Sequence, residues 1–267
     1  MCSSMFSAEW LALREPVDHE ARSLRLARFV ARAVSVGQGT SVLDLATGTG
    51  SNLRYLHPHL GRPQRWLLVD HDPALLEHAA RDRRLVEELE TRCADLSTFD
   101  DAMFEGRVLV TASALLDLVS LRWVEDLAAR CVAHRASVLF ALTYDGRIEC
   151  DPVEPEDDLV RALTTQHQHL DKGFGPGLGP EAVAAAVNAF QSAGYDIHRD
   201  RADWIVDASH DRFQRELIRG WADSATEMAP DRAPEIRGWQ RRRLAHVDAQ
   251  ESRIVVGHED LAAIFTE

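Results

Sequence analysis

A short stretch of small residues is the first feature of this sequence that could do chemistry. The stretch "VLDLATGTGSNLRYL", residues 42–56, has an apolar run with one acid and then places Ala46, Gly48 and Gly50 at alternate positions. A turn with so few side chains lets its backbone approach a ligand closely, and the amides of a following helix favour negative charge. In an open α/β sheet, ligands bind where the first strand passes into its helix. The stretch therefore predicts a cofactor site at the carboxyl end of a strand.

Two classes of cofactor use such a turn. The dinucleotide fingerprint G-x-G-x-x-G needs a third glycine so that helix and strand can pack closely. Gly48 and Gly50 supply the first pair, but Leu53 stands at the third position. Together with Asp44 and Ala46, the two glycines match D-x-G-x-G-x-G with one alanine substitution. This pattern resembles motif I of class I S-adenosylmethionine-dependent methyltransferases.

Three further segments resemble that family, in the same order along the chain. Asp70 ends the next predicted strand, where the family places an acid on the ribose hydroxyls. Asp95 and Leu96 resemble the acid–hydrophobic pair near the adenine, and "TASALLDL", residues 111–118, resembles the motif beside the methionine and the substrate. The resemblance covers about residues 36–145 and extends loosely to the final strand. It implies S-adenosylmethionine as cofactor, bound by Asp44, Ala46, Gly48, Gly50, Asp70, His71, Asp95, Leu96 and Ser113.

Candidates for catalysis are polar residues expected to face the cleft. Methyl transfer depends chiefly on alignment of the reacting atoms, and a general base is needed only when the acceptor must lose a proton early. Asp117 could orient an amine or a hydroxyl, although an acid at a helix start is equally explained by the helix dipole. His167 and His169 alternate with Asp171, and could form an acid–base pair, a weak metal site or part of a mobile lid. We favour the lid and predict no metal, since spacing alone supports one.

Candidates for substrate binding come from both ends of the cleft. Arg14 precedes the first predicted helix and could reach a carboxylate of cofactor or substrate, or could simply be an exposed arginine. Tyr144 leaves the fifth predicted strand at its carboxyl end, where a solvated turn is the alternative. Lys172 and Phe174 follow the two histidines in the predicted lid, where the lysine could recognise an anionic substrate.

Hydrophobic periodicity predicts the elements that would position these residues. Five strand–helix alternations indicate an open parallel α/β sheet with right-handed crossovers. The predicted fold is Rossmann-like, with a doubly wound, mostly parallel, seven-stranded sheet, helices on both faces, an N-terminal helical cap and an inserted lid. Predicted strands cover 41–46, 65–70, 91–96, 106–113, 136–144, a broken strand at 195–207, and 252–260. Predicted helices cover 20–35, 51–59, 73–89, 123–134, 158–171, 180–194, 209–228 and 232–246. The cap spans 1–35 and the methyltransferase domain 36–267, with a cofactor-binding half at 36–145 and a substrate-side half, including the lid, at 146–267.

Composition limits the class of protein and its partners. The chain has 267 residues and a formal charge of −13, which argues against a nucleic-acid partner because binding to phosphates needs clustered Lys and Arg. No apolar run approaches the roughly 20 residues of a membrane span, and the first residues do not resemble a signal peptide. Cys2, Cys93, Cys131 and Cys150 show no CxxC pairing, which suits a reducing cytoplasm. We expect a cytoplasmic monomer or homodimer with no membrane partner.

These observations predict a methyltransferase that transfers the methyl group of S-adenosylmethionine to a hydroxyl or an amine of a small molecule. One alternative is an NAD-type oxidoreductase, which nicotinamide-dependent turnover without methyl transfer would reveal. The other is a non-catalytic S-adenosylmethionine-binding module, for which cofactor binding without any methyl product would be expected.

Overall fold

The computed structural model of the protein describes residues 7–34 and 39–266. Its strands are β1 Thr40–Leu45, β2 Gln64–Asp70, β3 Glu88–Cys93, β4 Leu109–Ser113, β5 Ser137–Asp151, β6 Asp196–Arg201, β7 Trp204–Val206 and β8 Arg253–Ile264. They form one sheet in the order β3-β2-β1-β4-β5-β8-β6, and β7 also pairs with β8. The pairs among β1 to β5 are parallel, whereas β8 runs antiparallel to its neighbours. The predicted mostly parallel α/β sheet is confirmed, with the predicted broken strand present as β6 and β7.

Helices cover both faces of this sheet. They are α1 Ala8–Ala21, α2 Leu24–Val34, α3 Ser51–Leu56, α4 Pro73–Ala79, α5 Leu121–Ala133, α6 Asp157–Gln168, α7 Ala182–Ser192, α8 Asp211–Met228 and α9 Ala233–Asp248. Short 3-10 turns lie at Ala80–Arg84, Asp101–Phe104, Leu116–Leu118, Gly179–Glu181, Ala208–His210 and Pro230–Arg232. None of the helices in the described ranges is both long and apolar enough to cross a lipid bilayer.

The predicted first helix, 20–35, is wrong at its start. Helix α1 already begins at Ala8, where the Ser7 hydroxyl accepts a hydrogen bond from the amide of Trp10 at 3.1 Å. It ends where Arg22 takes an extended conformation, and α2 then begins at Leu24. Arg14 therefore lies inside a helix rather than ahead of one. The predicted boundary between residues 35 and 36 lies outside the described residues, as does Cys2.

Two other elements end in places that periodicity does not predict. The helix predicted over 73–89 ends at Ala79, residues Ala80–Arg84 continue as a 3-10 turn, and residues from Glu88 onward pair with β2 as strand β3. Its predicted start is confirmed, since the Asp72 carboxylate accepts a hydrogen bond from the amide of Ala74 at 2.8 Å. Strand β5 continues beyond its predicted end to Asp151, because its second half pairs with β8. Residues 145–151 therefore belong to the sheet and not to a lid.

Three hydrophobic clusters fill the space around the sheet. On one face Leu43 packs with residues of α5 and α7, and on the other Val42 packs with residues of α2 and α3. Burial on both faces is typical of parallel strands in α/β proteins. The third cluster lies where β5 and β8 extend beyond the parallel strands, and it packs β7 with residues of α1, α6, α8 and α9. Its buried tryptophans, Trp204, Trp221 and Trp239, pack the late helices against the sheet.

Candidate active site

The turn after β1 lies between the carboxyl ends of β2 and β4, its two parallel neighbours. Ala46, Gly48 and Gly50 all have left-handed backbone conformations, with φ of 51°, 55° and 86°. A Cβ on Gly48 would lie 3.1 Å from a methyl group of Leu11, because α1 passes over the turn. A Cβ on Gly50 would lie 3.2 Å from Ala79 of α4. Gly50 therefore allows α3 and α4 to pack closely, and it is not among the residues that line the cavity described below.

Replacing Ala46 by glycine is expected to stabilise the protein. A left-handed conformation costs an L-residue roughly 1–2 kcal/mol, and the greater freedom of glycine in the unfolded chain offsets part of that gain. We expect the free energy of unfolding, measured by urea denaturation, to rise by about 0.5–1 kcal/mol. Ala162→Gly on the exposed face of α6 is the control, and should lower the same quantity by about 1 kcal/mol. Equal destabilisation by both substitutions would contradict the left-handed conformation of Ala46.

The turn opens onto a cavity whose walls come from five parts of the chain. Helix α1 contributes Leu11, Arg14 and Asp18, and the apolar side of the cavity includes Leu115 and Leu118. Eight of the predicted site residues line it, namely Asp44, Ala46, Gly48, Asp70, His71, Ser113, Arg14 and Phe174. The sequence did not reveal Leu11 and Asp18, because α1 was not predicted as a helix.

Asp44 lies fully buried beneath the turn and is held by two side chains. Its carboxylate accepts hydrogen bonds from the Thr47 hydroxyl at 2.5 Å and from the Asn52 amide at 2.6 Å. Burial raises the pKa of Asp44 to about 6, and these two hydrogen bonds oppose that rise. Asn52 also donates to the Thr111 hydroxyl at 3.0 Å and accepts from the Arg22 guanidinium at 2.7 Å. Asn52 therefore joins β1, β4 and the segment between α1 and α2, a role that no sequence motif indicated.

Asp70 lies at the end of β2, with its carboxylate in the cavity wall. One carboxylate oxygen accepts the amide N–H of Gly48 at 2.8 Å, which fixes the turn. The other accepts the amide N–H of Asp72 at 3.0 Å and lies 3.2 Å from Nδ1 of His71. Because a carboxylate offers about four acceptor positions, Asp70 can accept a further hydrogen bond from a hydroxyl in the cavity.

Helix α1 is fixed over the cavity by a buried ion pair. The Arg14 guanidinium bonds the Asp18 carboxylate, with its Nε at 2.9 Å, and lies 5.0 Å from the centre of the Trp204 ring. The indole N–H of Trp204 also donates to Asp18, at 3.0 Å. These contacts give Asp18 three hydrogen-bond donors and hold Leu11, Arg14 and Asp18 in the wall of the cavity.

The two histidines and the lysine of the predicted lid lie away from the cavity. His167 lies 3.2 Å from a carboxylate oxygen of Glu227, and Lys172 lies 3.4 Å from the same imidazole nitrogen. His169 pairs with the carbonyl of Gly177 at 2.9 Å, so its ring holds the following loop together. Of this segment only Phe174 reaches the cavity wall. Among the residues that the structure describes, no group of three or more His, Cys, Asp or Glu side chains could hold a metal ion.

Four other predicted residues also lie outside the cavity lining. Asp95 is exposed and accepts the amide N–H of Ser97 at 2.8 Å, whereas Leu96 is buried in the core. Tyr144 is buried between the extended strands and the late helices, because β5 continues past it. Asp117 lies buried in the 3-10 turn that follows β4, next to residues that do line the cavity.

A buried histidine lies beneath the Arg14–Trp204 contact. The His258 ring on β8 is centred 4.5 Å from the Trp204 ring, and its Nδ1 lies 3.0 Å from the carbonyl oxygen of Val256. Burial, assisted by the charge of Arg14, lowers the pKa of His258 to about 3. The folded protein therefore keeps this imidazole neutral over the whole physiological range.

His258 is expected to make the protein sensitive to acid. The pKa of His258 is 6.5 in the unfolded chain and about 3 in the folded protein. The folded protein is therefore at its full stability above pH 6.5, and its free energy of unfolding falls as the pH is lowered toward 3. Between pH 7 and pH 5 this loss should be about 2 kcal/mol. The loss is measured by urea denaturation of the wild type and of His258→Phe at pH 7 and pH 5. Because all other titrating groups are common to the two proteins, the difference between their losses belongs to His258. An equal loss in the two proteins would contradict the buried neutral histidine.

Comparison with known proteins supports the fold. Neither a protein-family model nor a curated protein sequence matches this chain. The structure is similar to the cyclopropane synthase MmaA2 from Mycobacterium tuberculosis, with a TM-score of 0.53 and 10% identity over 97% of this chain and 94% of that one. It is also similar to the YcgJ protein from Bacillus subtilis, with a TM-score of 0.51 and 13% identity over 91% of this chain and 100% of that one. The predicted Rossmann-like fold, with its mostly parallel sheet and helices on both faces, is therefore confirmed.

Proposed function

We propose that this chain is a class I methyltransferase that binds S-adenosylmethionine and transfers its methyl group to a hydroxyl or an amine of a small molecule. The observation that carries the proposal is the cavity at the end of β1, where the left-handed turn 46–50 and the Asp70 carboxylate lie side by side. The turn presents backbone with few side chains, and Asp70 retains acceptor capacity for sugar hydroxyls.

The residues of the cavity fit this cofactor in chemistry and in charge. Asp70 and His71 would hold the ribose, and Leu75 offers apolar surface to the same cavity. Asp44 lies on the next strand, β1, and Ser113 lies on β4 beyond it. When bound, the cofactor supplies an activated methyl group on a positively charged sulfur. Three carboxylates, Asp18, Asp44 and Asp70, line the cavity against the single guanidinium of Arg14, and this excess of negative charge favours a cation.

The remaining walls suit the alignment that methyl transfer requires. Leu11, Leu118 and Phe174 place apolar surface around the cavity, which limits water and restricts how an acceptor can lie. The cover formed by α1 favours an acceptor small enough to enter, and the net charge of −13 supports this by disfavouring nucleic acid. A cytoplasmic location and a monomeric or homodimeric state belong to the same proposal, on the basis of cysteine usage and composition.

Calorimetric titration of the purified chain with S-adenosylhomocysteine tests the cofactor, with NADH as the comparison ligand. We expect one molecule of S-adenosylhomocysteine to bind per chain and NADH not to bind. Incubation with methyl-labelled S-adenosylmethionine and a pool of small metabolites, read by mass spectrometry, then tests turnover. Binding of NADH alone would favour an oxidoreductase, and cofactor binding without a labelled product would favour a non-catalytic module.

A further inference from the structure

Asp117 is a buried carboxylate that forms no ion pair with any described residue. It is 8% exposed, in the 3-10 turn Leu116–Leu118. The nearest side-chain donor is the amide nitrogen of Gln168 on α6, at 3.5 Å from a carboxylate oxygen. Arg14 lies near enough for its charge to act on Asp117, but its guanidinium already bonds Asp18. A buried charge of this kind normally has a cationic partner.

Two buried polar atoms on the elements around Asp117 have no hydrogen-bond partner among the described residues. The side-chain oxygen of Gln168 is one, and the hydroxyl of Tyr144 is the other. Tyr144 is 5% exposed, and Thr165 lies close enough to affect its pKa without reaching hydrogen-bond geometry. Tyr144 packs against residues of α6, the helix that carries Gln168. Because buried polar groups in native proteins are nearly always hydrogen-bonded, these oxygens indicate a missing donor.

This region adjoins the cavity of the proposed cofactor site. Leu115 and Leu118, on either side of Asp117 in the chain, both line the cavity, and so does Arg14. The turn that carries Asp117 is therefore part of the cavity wall. Since the cavity lining already carries more carboxylates than cations, Asp117 adds to an uncompensated negative charge.

We infer that Asp117, Gln168 and Tyr144 form a subsite for a protonated amine of the methyl acceptor. An ammonium group offers up to three donors, which matches the three oxygen-bearing side chains, and its charge compensates Asp117. A hydroxyl would offer one donor and no charge, and a carboxylate would be repelled. The inference rests on the proposed function, and it concerns recognition of the amine whether the methyl group goes to that nitrogen or to another atom.

Three probes with one ring and different polar groups test the subsite, namely benzylamine, benzyl alcohol and benzoate. Each is titrated by ligand-observed NMR into the full-length protein saturated with S-adenosylhomocysteine. We expect benzylamine to bind at least about tenfold more tightly than the other two, as one charge-assisted hydrogen bond would give. Asp117→Asn, which keeps the shape and removes the charge, should reduce this preference to about twofold or less. Asp126→Asn on the exposed side of α5 is the control and should leave it unchanged.

The outcomes separate this inference from the proposed function. Failure of the wild type to bind S-adenosylhomocysteine would overturn the proposed function itself. Normal S-adenosylhomocysteine binding with equal affinity for the three probes, or with no binding of benzylamine, would overturn only the amine subsite. Asp117→Asn must also retain S-adenosylhomocysteine affinity within about twofold, which shows that the variant is folded.

Tyr144→Phe gives an independent measurement. Because the Tyr144 hydroxyl is buried without a partner, its removal should leave the melting temperature unchanged or raise it. The affinity for benzylamine should nevertheless fall about threefold, an effect that a purely structural tyrosine would not produce. Unchanged benzylamine affinity would overturn the three-membered subsite.

Discussion

Asn52→Leu is expected to lower the free energy of unfolding by about 3–5 kcal/mol, a large part of the total for a domain of this size. The Asn52 side chain bonds the Asp44 carboxylate at 2.6 Å and the Arg22 guanidinium at 2.7 Å, and all three residues are buried. Leucine has a similar size but can satisfy neither charge. The variant would therefore leave a buried carboxylate and a buried guanidinium each short of one hydrogen-bond partner. An unsatisfied buried charged group strongly lowers the free energy of unfolding.

Urea denaturation followed by tryptophan fluorescence measures this effect. Asn188→Leu, on the exposed side of α7, is the matched control and should change the free energy of unfolding by less than about 0.5 kcal/mol. The affinity of Asn52→Leu for S-adenosylhomocysteine should also fall, because Asn52 and Asp44 both line the cavity. A loss below about 1 kcal/mol would mean that the network contributes no more than an ordinary exposed contact.

The cofactor half of the fold could be predicted because its signals are local. Asp44 and Asp70 lie at the ends of apolar strands and Gly48 lies in the turn after β1, so the strands themselves bring all three to one edge of the sheet. Helix α1 was not predicted, because the local signal that identifies a helix is missing from its sequence. It buries Arg14 and Asp18, so its inward face is not apolar and its sequence lacks the periodicity by which a helix is recognised.

The substrate half depends on partners far away in the sequence. His167 and His169 are near neighbours in the chain, yet they pair with Glu227 and with the backbone of the following loop, respectively. Tyr144 is enclosed because β5 continues alongside β8, more than a hundred residues later. Spacing within one segment cannot reveal such pairings. Asp117 lies in the turn after β4 and Gln168 lies on α6, so only the structure shows that their side chains are in contact.

The residue whose loss should most affect the cofactor is Asp70. Asp70→Ala is expected to weaken binding of S-adenosylhomocysteine by roughly 10- to 150-fold, the range for a hydrogen bond to a charged group. The substitution removes the acceptor for the ribose hydroxyls proposed above. It also frees the amide of Gly48, which the carboxylate holds at 2.8 Å, so the turn itself loses a restraint.

Isothermal titration calorimetry of three variants separates these contributions. Asp70→Asn keeps one acceptor oxygen and should lose less affinity than Asp70→Ala. Asp72→Ala is the control, because it removes the N-cap of α4 two residues away. Asp72→Ala should lower the free energy of unfolding by about 0.5–2 kcal/mol. It should change the dissociation constant of S-adenosylhomocysteine by less than about threefold. If Asp70→Ala binds S-adenosylhomocysteine as tightly as the wild type does, the Asp70 carboxylate does not hold the ribose, and the assignment of this cavity to the cofactor is wrong.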